Sequence, residues 1–334
     1  MNDRSLHAVA LGLMVCAWFA ADRASAYCQM TTKGGAQIGT SACNEDGAPL
    51  VWSNPCLSYA IDYRGSDWMD FADVEAAVDA SFETWEKADC GNGSTPNLIF
   101  KPSITPSECQ RPEYNTTGNV NTIAFLNPWE DPCPDEDRDP AYDPMALAVT
   151  IVWHNLQTGE ILDADMMIND QRATRTSAGG PYANCPEEGC LPPDNAGDAD
   201  LASIVTHEAG HFIGIGHCDP SLPSCVEATM FAVAERTSVE KRTLEQDDRD
   251  AVCAIYPPGS LTESCIAIPM GGLQLNCETT DSGNPIACNP TGSVSSGGGC
   301  SAAQAPGDTP VALLLALLGL TVIWRRSGRR DARS

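Results

Sequence analysis

Apolar side chains recur at helical spacing in three stretches of the chain, with strand-like runs between them. "DFADVEAAVDASFETWEKADC" (70–90) places Val74, Val78, Phe82 and Trp85 on one face, which predicts an amphipathic helix packed on a core. "DADLASIVTHEAGHFIGI" (198–215) does the same with Leu201, Ile204, Val205 and Phe212, behind an Asp-rich start that suits a helix N-terminus. "TLEQDDRDAVCAIYP" (243–257) predicts a shorter helix stopped by Pro257 and Pro258. "LSYAID" (57–62), "NLIFK" (97–101) and "NTIAFLN" (121–127) read as strands between Pro, Asn and Gly punctuation. "ALAVTIVWH" (146–154) and "EILDADMMI" (160–168) flank "NLQTG" and predict a hairpin. Strands come early and helices late, with no repeating βαβ unit, so the expected class is α+β.

The two ends carry different patterns. Arg4, the apolar run "HAVALGLMVCAWFAA" and Ala24-Ser25-Ala26 make an export signal with an A-x-A cleavage site. Residues 1–26 are therefore expected to leave, and the mature chain to begin near Tyr27. A lipoprotein signal ending at Cys16 is the alternative, with the bulky Val15 against it. Residues 27–258 are the expected folded domain. Residues 259–309 turn to Gly, Ser, Pro and Cys without periodicity, which predicts a linker with a small disulfide knot around Cys265, Cys277 and Cys288. Residues 310–334 hold "VALLLALLGLTVIW" and then "RRSGRR", an apolar run shorter than the roughly 20 residues that span a bilayer.

Charge and cysteine content narrow the class further. Asp and Glu number 45 against 19 Lys and Arg, for a formal charge of −26. Nucleic acid is excluded as a partner, because phosphate binding needs a basic footprint. Sixteen cysteines in an exported chain predict disulfides, so the domain is expected to be disulfide-rich. Cys16 goes with the leader and Cys300 belongs to the tail. Cys28/Cys43, Cys185/Cys190 and Cys218/Cys225 are close enough in sequence to pair, although spacing leaves the connectivity open. No CxxC pairs at zinc-ribbon spacing are present.

The chemistry concentrates in "HEAGHFIGIGH" (207–217), which holds three of the five histidines. His207 and His211, four apart on a helix, point from one face and can chelate one ion. Glu208 lies one residue round, within reach of a water on that ion. Gly214 offers the positive φ that ends a helix sharply and lets His217 return as a third nitrogen ligand. Three neutral imidazoles with the fourth tetrahedral position left to water describe a catalytic zinc and not a closed structural one. Glu208 is then the expected general base.

These residues carry a resemblance. HExxHxxGxxH followed by a methionine turn is the metzincin signature, and Met230 in "EATMFAVAE" stands where that turn belongs. Over roughly residues 50–258 the chain resembles the matrixin peptidases, whose paired aspartates after the turn are matched by Asp247 and Asp248. Astacins and serralysins carry a tyrosine two residues past the methionine, where this chain has Ala232. The resemblance implies the metzincin zincin fold: a twisted mixed sheet, mostly parallel, above a cleft, with an active-site helix and a small C-terminal subdomain. It implies a zinc metalloendopeptidase acting on proteins or peptides, with Met230 shaping the floor under the metal. The second, structural zinc of animal matrixins is not expected, since Asp165 occupies the place of one of its histidines. His154 reads as an ordinary strand residue. Either a Cys218–Cys225 bridge braces the loop before Met230, or a free Cys218 thiolate holds the zinc and keeps the enzyme inactive. The acidic stretch "EDPCPDEDRDPAYDP" (130–144) is a candidate calcium loop. The strand 146–153, if it edges the cleft, can receive an extended substrate by strand addition.

The tail resembles the MYXO-CTERM sorting tag, with Cys300 as the processing point; an uncleaved membrane anchor is the alternative. The expected protein is thus a monomeric zinc metalloendopeptidase, exported and either released or held at the cell surface through that tail. Its rival is a surface binding or adhesion protein on an inert metzincin scaffold, against which the intact Glu208 speaks.

Overall fold

The computed structural model describes residues 26–34, 43–130, 142–143, 145–171, 182–185, 199–234, 238–259, 266–277, 293–296 and 301–302. In chain order the strands are β1 (Cys28–Gln29), β2 (Cys56–Ile61), β3 (Ile99–Pro102), β4 (Thr122–Leu126), β5 (Ala148–His154), β6 (Ile161–Asn169), β7 (Tyr182–Ala183), β8 (Ala199–Asp200), β9 (Ile215–Gly216), β10 (Val233–Ala234), β11 (Ser293–Ser296) and β12 (Ser301–Ala302). The helices are α1 (Phe71–Glu86), α2 (Leu201–Phe212), α3 (Pro223–Val226) and α4 (Gln246–Ile255).

The main sheet runs β11-β5-β6-β4-β2-β3. Strands β2, β3, β4 and β6 are parallel, while β5 is antiparallel to β6 and β11 antiparallel to β5. The sheet is mixed, as expected. Helix α1 lies between neighbouring parallel strands β2 and β3, in the order that the sequence predicted, because a tight turn cannot join parallel neighbours.

Both faces of the hairpin β5–β6 are covered, which is why its sequence is apolar almost throughout instead of alternating. Ala148 and Val152 of β5 and Ala164, Met166 and Ile168 of β6 join the main core with α1 and α2. Val149, Ile151 and Trp153 pack on the other face with Leu126, Trp129 and Met167. Val74, Val78, Phe82 and Trp85 are all fully buried on α1. The Phe82 ring stacks on Tyr59 at 4.2 Å and meets the Phe212 ring edge-on at 5.2 Å, locking α1 to α2 and to the sheet.

On the face of β6 away from the helices, Asp163 and Asp165 are buried side by side. Asp163 accepts from the Asn119 side chain; Asp165 accepts from the backbone N–H of Thr122 at 2.7 Å and of Glu113 at 2.8 Å. Burial raises both carboxyl groups well above the usual range, and the proximity of Asp165 raises Asp163 further. A carboxyl that binds its proton more tightly folded than unfolded loses stability as pH rises from the unfolded range, about 4, through the raised value. Asp163→Asn keeps the acceptor for Asn119 and carries no charge. Its melting temperature is expected to fall less than that of the parent between pH 5 and pH 8; equal slopes would refute the buried-proton account.

The bridges Cys28–Cys43 and Cys218–Cys225 form as sequence proximity suggested. Cys185 is disulfide-bonded, but Cys190 lies outside the described residues. Two long-range staples were not legible: Cys90–Cys253 joins the chain after α1 to α4, and Cys109–Cys277 spans 168 residues. The second corrects the expected local knot. Residues 266–277 are stitched back on the domain, with Asn119 N–H donating to Gly272 and Glu108 N–H to Leu275, and this pairing brings Cys277 opposite Cys109. Cys265 and Cys288 lie outside the described residues, as do the leader 1–25, the tail 303–334, Cys300 and most of the acidic stretch 130–144. Among the described residues, no helix is long and apolar enough to cross a membrane.

Candidate metal centre

Helix α2 begins where the Asp200 carboxylate accepts from the Ser203 N–H at 2.9 Å, a side-chain cap on one of the free N–H groups of the first turn. Arg242 grips the same carboxylate, with Nε at 2.7 Å. The helix ends at Gly214, whose φ of +88° belongs to the left-handed region; a Cβ there would lie 2.6 Å from the Leu50 carbonyl oxygen. The chain then reverses into β9, which pairs antiparallel with β1 and delivers His217 back toward the helix.

The three imidazoles meet as the spacing predicted. Nε2 of His217 lies 3.2 Å from Nε2 of His207 and 3.3 Å from Nε2 of His211. The other nitrogens of the helical pair face carbonyl oxygens: Nδ1 of His207 sits 2.6 Å from the Thr229 oxygen, and Nδ1 of His211 2.7 Å from the Ile215 oxygen. A carbonyl oxygen only accepts, so each Nδ1 carries the hydrogen and each Nε2 presents a lone pair. Two lone pairs beside a third ring nitrogen in a buried pocket make a set of donor atoms suited to one metal ion. Nitrogens about 2.0–2.1 Å from one tetrahedral zinc lie roughly 3.3–3.4 Å apart, close to the spacing found. Burial, reinforced by the nearby Lys241 ammonium and the other two rings, lowers the His207 pKa well below the usual imidazole range and keeps it neutral, as a ligand must be. The residues fit a metal ion.

Residues 141–257 match the family model for Matrixin. No curated protein matches the chain. The matched region contains the hairpin, α2, the three histidines and the turn at Met230, and the match supports a metalloprotease with zinc as its metal.

The turn at Met230, packed on the histidine-bearing helix, is tightly braced. Gly210 faces Met230 so closely that a Cβ would lie 2.2 Å from the methionine sulfur. The Asp248 carboxylate accepts from the N–H of Thr229 at 2.8 Å and of Met230 at 3.0 Å. Lys241 donates to the carbonyl oxygens of Thr229, at 2.8 Å, and of Phe231. The Thr229 oxygen thus orients His207 while being held by an ammonium. Lys241 was not legible in the sequence, since nothing local marks a lysine whose partners are carbonyls of a distant turn. Lys241→Met is expected to weaken metal binding about 10–100-fold, as loss of an outer partner of a ligand does; chelator competition measures it, and unchanged affinity would show that Thr229 needs no such support.

Glu208 is fully buried, and one of its carboxylate oxygens accepts from the Thr150 hydroxyl at 2.7 Å. Thr150 also reaches the Glu208 backbone oxygen at 3.2 Å. Sequence reading missed Thr150, although parity along β5 puts it on the same face as Ala148 and Val152, toward α2. Cys218 is disulfide-bonded to Cys225, so the alternative in which its free thiolate holds the metal is corrected. His154 is a buried strand residue outside the metal cluster, and Asp165 is engaged by backbone amides, also outside it.

Proposed function

We propose that the protein is an exported zinc metalloendopeptidase of metzincin type. The observation that carries this reading is the convergence of three imidazole Nε2 atoms beside a buried glutamate. His207, His211 and His217 would hold the metal, and Met230 would form the floor under them. When bound, zinc supplies Lewis-acid polarisation of the scissile carbonyl and a lowered pKa for the attacking water. The rest falls to the chain. Glu208, aimed by Thr150, takes a proton from the attacking water and later gives it to the leaving amine. Strand β5, lying against α2, would hold the substrate extended by main-chain pairing on the side where β11 pairs. The disulfides and the export signal over 1–26 support work outside the cell, and the tail beyond 309 supports attachment at the surface. An adhesion role on an inert scaffold has no use for a glutamate positioned this carefully.

The full chain, incubated with a denatured protein, is expected to cleave it, to stop on addition of a zinc chelator, and to recover when zinc is restored. Cleavage indifferent to chelation would refute the metallopeptidase reading.

A further inference from the structure

The edge of the sheet at β5 is taken by a piece of this chain. Strand β11 pairs antiparallel with β5, with Ser293 opposite His154, Val294 opposite Trp153, Ser295 opposite Val152 and Ser296 opposite Ile151. The ladder stops one position short of Thr150, whose hydroxyl holds Glu208. A few residues later, β12 pairs parallel with β10, with Ser301 opposite Val233 and Ala302 opposite Ala234. Strand β10 begins three residues after Met230, the residue packed against Gly210 of the histidine-bearing helix. Two described strands of this stretch are therefore held by main-chain pairing, one ending next to Thr150 and one just past Met230. A peptide recognised by strand addition to the β5 edge would need the same backbone groups.

We infer that Ser293–Ser296, together with Ser301–Ala302, is an internal peptide ligand of this cleft, occupying the track of an outside peptide, so that the full chain restrains its own activity until these strands withdraw. The inference deepens the peptidase reading and rests on it. The grip described is a backbone ladder of four paired positions at β5 and two at β10, short enough to reverse. Weak binding suffices, because a tethered ligand acts at an effective concentration on the order of mM. An intrinsic Kd of about 0.1 mM would then hold the rate on dilute substrate about tenfold down.

The test is the double variant Val294→Pro/Ser295→Pro in the full chain. Neighbouring residues of a strand direct their N–H groups to opposite sides, so one of the two prolines removes a donor aimed at β5 whichever way the ladder runs. Two quantities are read: hydrogen exchange of the β5 amides, and hydrolysis of a short fluorogenic peptide by the zinc-loaded protein. Expected are faster exchange across 148–154 and a rise in hydrolysis of about tenfold, with both effects reversed by adding a synthetic peptide of residues 291–303. Unchanged exchange would overturn the inference, whatever the activity. Faster exchange with the same nonzero hydrolysis would overturn it as well, because the segment would then not obstruct substrate. Faster exchange with no hydrolysis in either protein would leave the segment as the occupant of the cleft and sink the peptidase reading instead.

Discussion

Glu208→Gln is expected to slow peptide hydrolysis by about 10²–10⁴-fold, the range lost with a positioned general base. The amide is nearly the shape of the carboxylate, and its oxygen can still accept from the Thr150 hydroxyl that now lies 2.7 Å from Glu208. The glutamate is fully buried, so removing its charge relieves a desolvation cost and leaves no cavity. Fold, melting temperature and metal stoichiometry should therefore hold while turnover collapses. Matched measurements of metal content and kcat/KM check this. A variant that keeps more than a tenth of the parent rate would remove Glu208 from the proposed role.

The second large effect is structural. Gly210 lies on α2 between the two helical histidines, and an added Cβ would sit 2.2 Å from Met230 Sδ and 2.9 Å from Trp85 Cζ2. Both neighbours are packed in the core, so either must displace other buried groups to yield. Met230 is buried and its N–H is held by Asp248; the Trp85 indole donates to the Thr206 carbonyl at 2.8 Å. Alanine is the better helix former by about 1 kcal/mol, yet the overpacking should cost about 1–3 kcal/mol and reverse that gain. Gly210→Ala is thus expected to melt several degrees lower and to bind zinc more weakly, because the floor and the histidines must part. Denaturant unfolding with and without metal measures both. A variant more stable than the parent would mean that the turn at Met230 is looser than its hydrogen bonds imply.

Much of the architecture was legible because it is written in local periodicity. The faces of α1 and α2, the hairpin β5–β6 and the return of His217 past Gly214 all follow from residues within a few turns of one another. What escaped depends on contacts that leave no local trace. Cys277 looked like a member of a knot because composition alone marks its segment as linker, and only pairing with a partner 168 residues away reveals otherwise. Thr150 stands in an apolar strand as an unremarked polar residue until the strand's inner face is known. Strand β11 gives no signal at all, since a ladder of main-chain bonds is indifferent to the serines that form it.

Asp248 has a thermodynamic consequence. Its carboxylate holds the two amides of the methionine turn and also accepts from the Glu245 N–H at 2.9 Å, closing the reciprocal cap at the start of α4. The Met230 turn and the last helix share one anchor, and Cys253 of that helix is bonded to Cys90 near the end of α1. Fraying of α4 would release the turn, the Thr229 oxygen and with it His207. Whatever free energy the ion contributes therefore spreads by mass action through a helix it never touches, about 4 kcal/mol when free metal stands a thousandfold above its Kd. Ion and helix should be gained and lost as one cooperative unit.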